Sequence, residues 1–478
     1  MMGTIIQSSP LSYGSISVEK IIHNGYRLDV SAYNMNAVNA ISKVSHSKCG
    51  SIPLSKLLSD AFVGNRFKRI YTDSTKDIPF FLPSDIENVF PKPTKYISGK
   101  TDADIDSLRV WKNMLLVTCS GTIGKTSLVG RILEGQVMSH DLLRVIVKKD
   151  YDLGYVYAFF NTEIGLTILQ SNNYGAVIDH IEPEHLNNIL IPNASKSDRI
   201  KINNLIKKSF ALRDESNNLI TLAQKKLYQE LELPDISTLS PKQYCSNSGF
   251  DNFSVKLSQS DYRLDGSYHV PIVDEIIKVI SKKADRVAIL GDDEISENII
   301  LPGRFKRVYV DKAHGIPFFG GKQLLSLNPS NLKYLSLQHH GERIEDQLFL
   351  KENMCAISCS GTIGKVMIVP KHWEGWTMNQ HVIRIMPKSN AIAGYIYAWV
   401  DSQYCNPLIK RYIYGSVVDE VNDEQIAQVP IPIIKNKDAL KKINDDVLKA
   451  NNLRYQAYQE EQVAFKIMNE IIESSDIP

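Results

Sequence analysis

The residues best placed to do chemistry are a glycine turn with a lysine, Ser120–Ser127, reading SGTIGKTS. A nucleotide-binding P-loop requires glycine, four residues, then Gly-Lys-Ser/Thr, so that backbone amides wrap the phosphates and the hydroxyl holds magnesium. With Gly124-Lys125 as the fixed end, the first glycine falls on Cys119; in a second copy of the segment Lys365 is followed by Val366, which has no hydroxyl. The segment therefore predicts two strands joined by a tight Gly-X-X-Gly turn, where glycine permits positive φ. Lys125 and Lys365 occupy equivalent turn positions and are candidate phosphate contacts. Phe67-Lys68-Arg69 and Phe305-Lys306-Arg307 set two adjacent cations beside an aromatic ring, so Lys68, Arg69, Lys306 and Arg307 are further candidates for backbone phosphates. The alternative is an exposed basic strand edge. His180-Ile181-Glu182-Pro183-Glu184-His185 has the composition of a metal cluster, but its counterpart, Glu420–Gln425, has no histidine, and no metal site is expected. HExxH and GxSxG are absent, as is an NPPY-like motif for amino-methyl transfer, so no catalytic residue is assigned.

The elements that position these residues occur twice. FKRIYTDSTKDIPFF from Phe67 returns as FKRVYVDKAHGIPFF from Phe305, an offset of 238. MLLVTCSGTIGKTSLV from Met114 returns from Met354, and GYVYAFF from Gly154 returns as GYIYAWV from Gly394, both at an offset of 240. Tyr26-Arg27-Leu28-Asp29 recurs at Tyr262–Asp265, and Tyr174-Gly175 with Asp179 recurs at Tyr414-Gly415 with Asp419. Two units of about 240 residues are too long and too few for a solenoid. The chain reads as a tandem duplication.

Within each unit, short β-branched and aromatic runs such as Met114–Cys119 and Leu142–Val147 are broken by Gly, Pro, Asn and Asp, which predicts a β-rich α+β domain. The period then changes. From Ser197 the chain runs without Gly or Pro, with apolar residues at steps of three and four, and it does so again from Asp438. The expected organisation is a domain over 1–195, a long helix over 196–232, a Ser- and Pro-rich linker over 233–254, a second domain over 255–435 and a second long helix over 436–474. Helices of roughly 50 Å bury their stripes most readily against each other, as an antiparallel coiled coil with a domain at each end. Leu205, Leu219, Leu222, Ile443, Val447 and Ile467 are the expected packing residues. Folding of each helix onto its own domain is the alternative.

The composition is that of an ordinary globular chain, with 43% hydrophobic and 23% charged residues over 478 positions. A formal charge of +2 supplies no molecule-wide basic field, so polyanion binding must come from local patches or be shared with a partner. Six scattered cysteines without CxxC pairs read as reduced thiols. No stretch has a signal-peptide pattern or the length of a membrane span, and a cytoplasmic protein is expected.

The set FKR…GIPF, CSGTIGK, MNQHVIRI (Met378–Ile385) and the YG…ID-to-IP segment closing each unit resembles the specificity subunit of type I restriction–modification systems, over nearly the whole chain. The resemblance implies two tandem target recognition domains, separated by an antiparallel coiled coil. It further implies a non-catalytic subunit that binds double-stranded DNA, each domain reading one half of an asymmetric bipartite site while the helices set the spacing. Implied partners are methyltransferase subunits, expected to be two, and restriction subunits reached through the complex. This chain would hold no cofactor; S-adenosylmethionine, ATP and Mg2+ would sit on partners. A stand-alone nuclease or modification enzyme and a non-DNA assembly scaffold are the alternative readings. Residues common to both units cannot distinguish different half-sites, so base readers are sought where the units differ. The candidates are His140, Asn172 and Asn173 in the first unit and Asn379, Gln380, Lys410 and Arg411 in the second.

Overall fold

The computed structural model describes residues 16–23, 26, 34–72, 76–171, 180–239, 253–260 and 262–474. The chain divides into two compact units, one made of residues 1–86, 92–207 and 460–478, the other of residues 87–91 and 208–459.

The first unit contains an antiparallel sheet in the spatial order Leu58–Val63, Leu142–Val147, Met114–Thr118, Thr126–Leu128. All five residues of Met114–Thr118 are buried, because the helix Asp150–Phe160 covers this region with an almost wholly buried surface. Such a helix needs no amphipathic stripe, and its sequence, DYDLGYVYAFF, shows none. A second sheet runs Tyr71–Thr72, Lys95–Ile97, Ile78–Phe81, Val137–Met138, its last pair parallel. Ser51–Pro53 pairs with Leu190–Pro192.

The second unit repeats this plan strand for strand. Ser296–Ile300, Val382–Pro387, Cys355–Ser358 and Val366–Ile368 form one sheet; Tyr309–Val310, Lys333–Ser336, Gly315–Phe319 and Thr377–Met378 form the other, again ending in a parallel pair. Arg286–Ile289 pairs with Pro430–Ile433, and Asn390–Val400 is the buried helix. Each unit is thus an α+β domain, and the sequence duplication is a duplication of topology.

A buried arginine ties together the strands of each domain. Arg144, fully buried, donates to the carbonyls of Leu142 and Leu108, each at 2.9 Å, and of Met138 at 3.3 Å. Arg384 donates to Val382 at 2.8 Å, Leu348 at 3.2 Å and Met378. Burial lowers these guanidinium groups to about 10 and about 9, so both remain cationic at neutral pH.

The long helices run Lys196–Glu230 and Lys437–Glu473. On the first, the buried positions Ile202, Ile206, Ser209, Ser216, Ile220, Ala223 and Leu227 follow a heptad spacing. In the second unit the end of the first helix lies with the start of the second: Ile220, Ala223 and Leu227 share one core with Ala439, Ile443 and Val447, and Lys449 pairs with Glu215 at 3.6 Å. In the first unit the start of the first helix lies with the end of the second. The pairing within each unit is antiparallel, and each domain also packs on the seam. The Gly154 N–H donates to Asn203 Oδ1 at 2.9 Å and the Gly394 N–H to Asn444 Oδ1 at 2.9 Å. A Cβ at Gly154 would lie 2.8 Å from the Asn203 Cα, and one at Gly394 would collide with the Asn444 carbonyl. Only glycine lets the helices approach this closely.

Of the expected packing residues, Ile443 and Val447 are fully buried, while Leu205, Leu219 and Ile467 are half-buried. Leu222 is a correction: it is 49% exposed. Two residues advance a helix by about 200°, so Leu222 points away from the stripe set by Ile220, and Ala223 takes the seam instead. Leu233, Ile236 and Leu239, at the start of the Ser- and Pro-rich stretch, pack on the core of the second unit; residues 240–252 of that stretch lie outside the described residues. His372 stacks on Tyr458 of the second long helix with ring centroids 3.9 Å apart, and its Nε2 meets the Leu327 carbonyl at 2.8 Å.

Three stability outcomes follow from this packing, each read by urea denaturation of the full chain. Arg384→Met, which leaves buried carbonyls without a donor, destabilises by about 3 kcal/mol. Ile220→Ala costs about 3 kcal/mol, whereas Leu222→Ala stays within about 0.5 kcal/mol. Burial lowers His372 to about 4 from 6.5, so the unfolded chain takes up its proton first; stability is complete above the unfolded value and falls as pH drops towards 4. That loss is about 3 kcal/mol by pH 4 and is absent in His372→Phe, which keeps a ring on Tyr458.

Candidate nucleic-acid interface

The turn between Cys355–Ser358 and Val366–Ile368 sits beside the second sheet of its unit. Gly361 and Gly364 have φ of +73° and +86°, so the tight turn depends on glycine here. Below it, the Ser358 hydroxyl donates to the Thr362 carbonyl at 2.6 Å and accepts the Lys365 N–H at 2.9 Å. The first unit builds the same turn with Thr118, whose hydroxyl donates to the Thr122 carbonyl at 2.6 Å and accepts the Lys125 N–H at 3.0 Å. Each turn thereby fixes the backbone from which its lysine projects.

In the second unit this turn forms one wall of an open cleft of about 580 Å³. Arg307, Lys322, Lys333 and Lys365 line it, together with Tyr309, Gln323, Asn331, Asn379 and His381, and among the described residues no carboxylate does. Four cations, with Glu420 only at the edge on Ser360 at 3.5 Å, make a local anion-attracting field that the whole-chain charge conceals. Lys333 Nζ lies 4.8 Å from the centre of the Tyr309 ring, and the first unit repeats the pair as Lys95 over Tyr71 at 5.7 Å. Such a contact orients a lysine while leaving its ammonium accessible.

The cation pairs expected to hold phosphates divide in two. Lys68 and Lys306 are exposed, and neither arginine beside them is. Arg69 lies over the Phe80 ring and donates to Ser139 Oγ at 3.1 Å and Asp141 Oδ2 at 3.0 Å, with His140 Nδ1 at 3.2 Å. Arg307 lies over Phe318 and donates to Gln380 Oε1 at 2.6 Å. Both arginines therefore organise the loop at the end of the parallel strand, and Arg307 also faces the cleft. Burial lowers the His140 imidazole, and Arg69 with Arg144 adds to this against the opposing pull of Asp141. Burial tends to raise Asp141, but His140, Ser139 and Arg69 bring it below its ordinary value. That triad is an internal network.

Lys365 lines the cleft, and both it and Lys125, at the equivalent turn position of the first unit, are half-buried. Asn379 lines the cleft as well, its Oδ1 accepting the His381 N–H at 3.0 Å. Gln380 lies on a second, smaller cleft that shares Ser360 and His381 with the first. Lys410 is exposed at the end of the helix Cys405–Lys410, and Arg411 stacks on Tyr268 at 4.2 Å; neither lines these two clefts. Asn172 and Asn173 lie outside the described residues. The cleft also includes Lys333 and Tyr309, which motif reading passed over. Lys95-Tyr96 and Lys333-Tyr334 recur at the offset of 238 already found, and that recurrence was the available signal. His185 has a local role: its Nδ1 accepts the Glu182 N–H at 2.9 Å in a helix cap. Among the described residues no helix is long and apolar enough to cross a membrane.

No curated protein matches the chain. Among solved structures, the type I restriction–modification system S subunit from M. genitalium is 14% identical, covering 90% of this chain and 96% of its own, with a TM-score of 0.31. The HsdS subunit from Thermoanaerobacter tengcongensis is 11% identical, covering 88% and 96%, with a TM-score of 0.27. A structure described for complex assembly and conformational transition of the type I R-M system is 14% identical, covering 88% and 97%, also with a TM-score of 0.27. The family model described as the type I restriction modification DNA specificity domain matches residues 313–466, a span that holds the Lys365 turn, Lys333, Asn379 and most of the second long helix. Over residues 313–466 the chain is thus similar to the type I restriction modification DNA specificity domain.

Proposed function

We propose that this chain is the sequence-specific DNA-binding subunit of a type I restriction–modification complex and does no chemistry of its own. Each α+β unit reads one half of an asymmetric bipartite site in double-stranded DNA. The observation that carries this reading is a cleft lined by four cations and, among the described residues, by no carboxylate, whose walls fall largely within residues 313–466, the span that matches the specificity-domain model. The repeated strand order extends the reading to the first unit. Lys322, Lys333 and Lys365 take backbone phosphates, with exposed Lys306 beside them and Lys68 and Lys125 in equivalent places on the first unit. Asn379 and Gln380, where the two units differ in sequence, are the base readers nearest the cleft.

The paired long helices set the gap between half-sites and dock two methyltransferase subunits; restriction subunits join through the assembled complex. S-adenosylmethionine, ATP and Mg2+ belong to those partners. A net charge of +2 then suits a chain whose partners supply part of the phosphate neutralisation.

Selection from a random-sequence duplex pool, by this chain with its methyltransferase partner, is expected to enrich a two-part site with a fixed gap. Lys333→Ala and Lys365→Ala should each lower the slope of log affinity against log salt by about 0.9 without altering the enriched sequence. An unchanged slope in both variants, or an altered sequence, overturns the assignment of these lysines to phosphates. Failure to enrich any sequence overturns the DNA reading as a whole.

A further inference from the structure

Beside the cationic cleft the second unit raises a short hairpin, Tyr414–Glu420. It is closed by Tyr414 N–H to the Glu420 carbonyl at 3.0 Å and the Glu420 N–H to the Tyr414 carbonyl at 2.8 Å. Its base is fixed to the Lys365 turn: the Gly361 N–H donates to the Asp419 carbonyl at 2.9 Å, and the Val421 N–H to the Cys359 carbonyl at 3.0 Å. Tyr414 and Glu420 line the smaller cleft, which shares Ser360 and His381 with the cationic one. The hairpin therefore projects from a firm base at the edge of the proposed DNA surface.

Its tip joins ordinary turn residues, Gly415 at φ +115° and Ser416, to two exposed apolar ones. Val417 is 93% exposed and Val418 49%, where Gly, Asn, Asp or Ser would ordinarily stand. Two β-branched apolar residues held out into water gain nothing for the fold. Around the hairpin itself the charges balance, Arg304 pairing with Glu420 at 3.4 Å and the exposed Asp419 following Val418. The attraction for a polyanion comes from the adjoining cleft, lined by Arg307, Lys322, Lys333 and Lys365.

We infer that the hairpin Tyr414–Glu420 is an apolar wedge that enters the DNA duplex beside the cleft and unstacks a base step with Val417 and Val418. The inference rests on the DNA reading above. The first unit carries Tyr174-Gly175-Ala176-Val177-Ile178-Asp179 at the same offset of 240, in residues outside those described. Residue types held in common by both units cannot tell one half-site from another. An apolar tip that acts on any sequence does so by deforming the duplex rather than by reading base edges. Local unstacking also lowers the cost of extruding a base, which enzymes that modify bases must pay.

The test uses the full chain, alone and with its methyltransferase partner, on the duplex that selection enriches, with 2-aminopurine placed at each adenine of that duplex in turn. The wild-type chain should raise 2-aminopurine fluorescence at one step of the half-site. Val417→Ser combined with Val418→Ser should abolish that rise, weaken binding about tenfold and leave the enriched sequence the same, with an unchanged urea melt. Unchanged affinity and fluorescence overturn the wedge while leaving the DNA reading intact. A shifted consensus overturns it too, by making the tip a base reader. If the wild-type chain enriches no sequence at all, the DNA reading fails first and the wedge with it.

Discussion

The close approach of a buried helix to a long one, at Gly154 on Asn203 and at Gly394 on Asn444, is the contact on which the rest of each unit depends. One asparagine oxygen receives the glycine N–H, and the missing side chain lets the two backbones come together. On the other side of that buried helix lie the sheet and the turn lysine. Tyr155 and Tyr395 reinforce the joint by donating to the carbonyls of Pro192 and Pro432, at 2.7 and 2.6 Å. A recognition surface built on such a domain takes its orientation from the long helix, because little freedom remains between the two.

The basic residues of each domain are arranged in layers with different roles. Innermost, Arg144 and Arg384 give their terminal N–H donors to backbone carbonyls and lie fully buried, out of reach of a ligand. Next, Arg69 and Arg307 lie over phenylalanine rings and brace the loop that follows the parallel strand. Outermost, in the second unit, stand Lys322, Lys333 and Lys365, whose flexible stems reach into the cleft. The division follows side-chain chemistry. A planar guanidinium with five donors suits a fixed set of interior carbonyls, whereas a compact ammonium on a flexible stem suits a mobile, solvated phosphate.

Much of this architecture was legible in the sequence because duplication makes it so: two copies at a nearly constant offset expose the scaffold as whatever is repeated. The Gly-X-X-Gly turn, the α+β character and the two long helices could all be read this way. Leu222 was misread because counting apolar residues at steps of three and four does not say which of two adjacent leucine- or alanine-bearing positions faces inward; the seam chose Ala223. The buried arginines were overlooked within LLRVIV and HVIRIM, where a charge in the middle of an apolar run is a signal in its own right. The roles of Arg69 and His140 could not be read at all, since they depend on Ser139 and Asp141, some 70 residues along the chain from Arg69. Sequence spacing carries no information about such contacts.

The first unit has a particular debt to the far end of the chain. Tyr157, on its buried helix, donates to Glu461 at 3.0 Å and packs against Phe465 with ring centroids 6.2 Å apart, while the Ser47 hydroxyl donates to the Ile471 carbonyl at 3.0 Å. On the ribosome, residues 460–473 are made after every residue of the second unit. The unit encoded first is therefore the one completed last. Until that final stretch of helix emerges, the nascent chain carries an unfinished core around Tyr157, and the order of synthesis runs against the order of assembly.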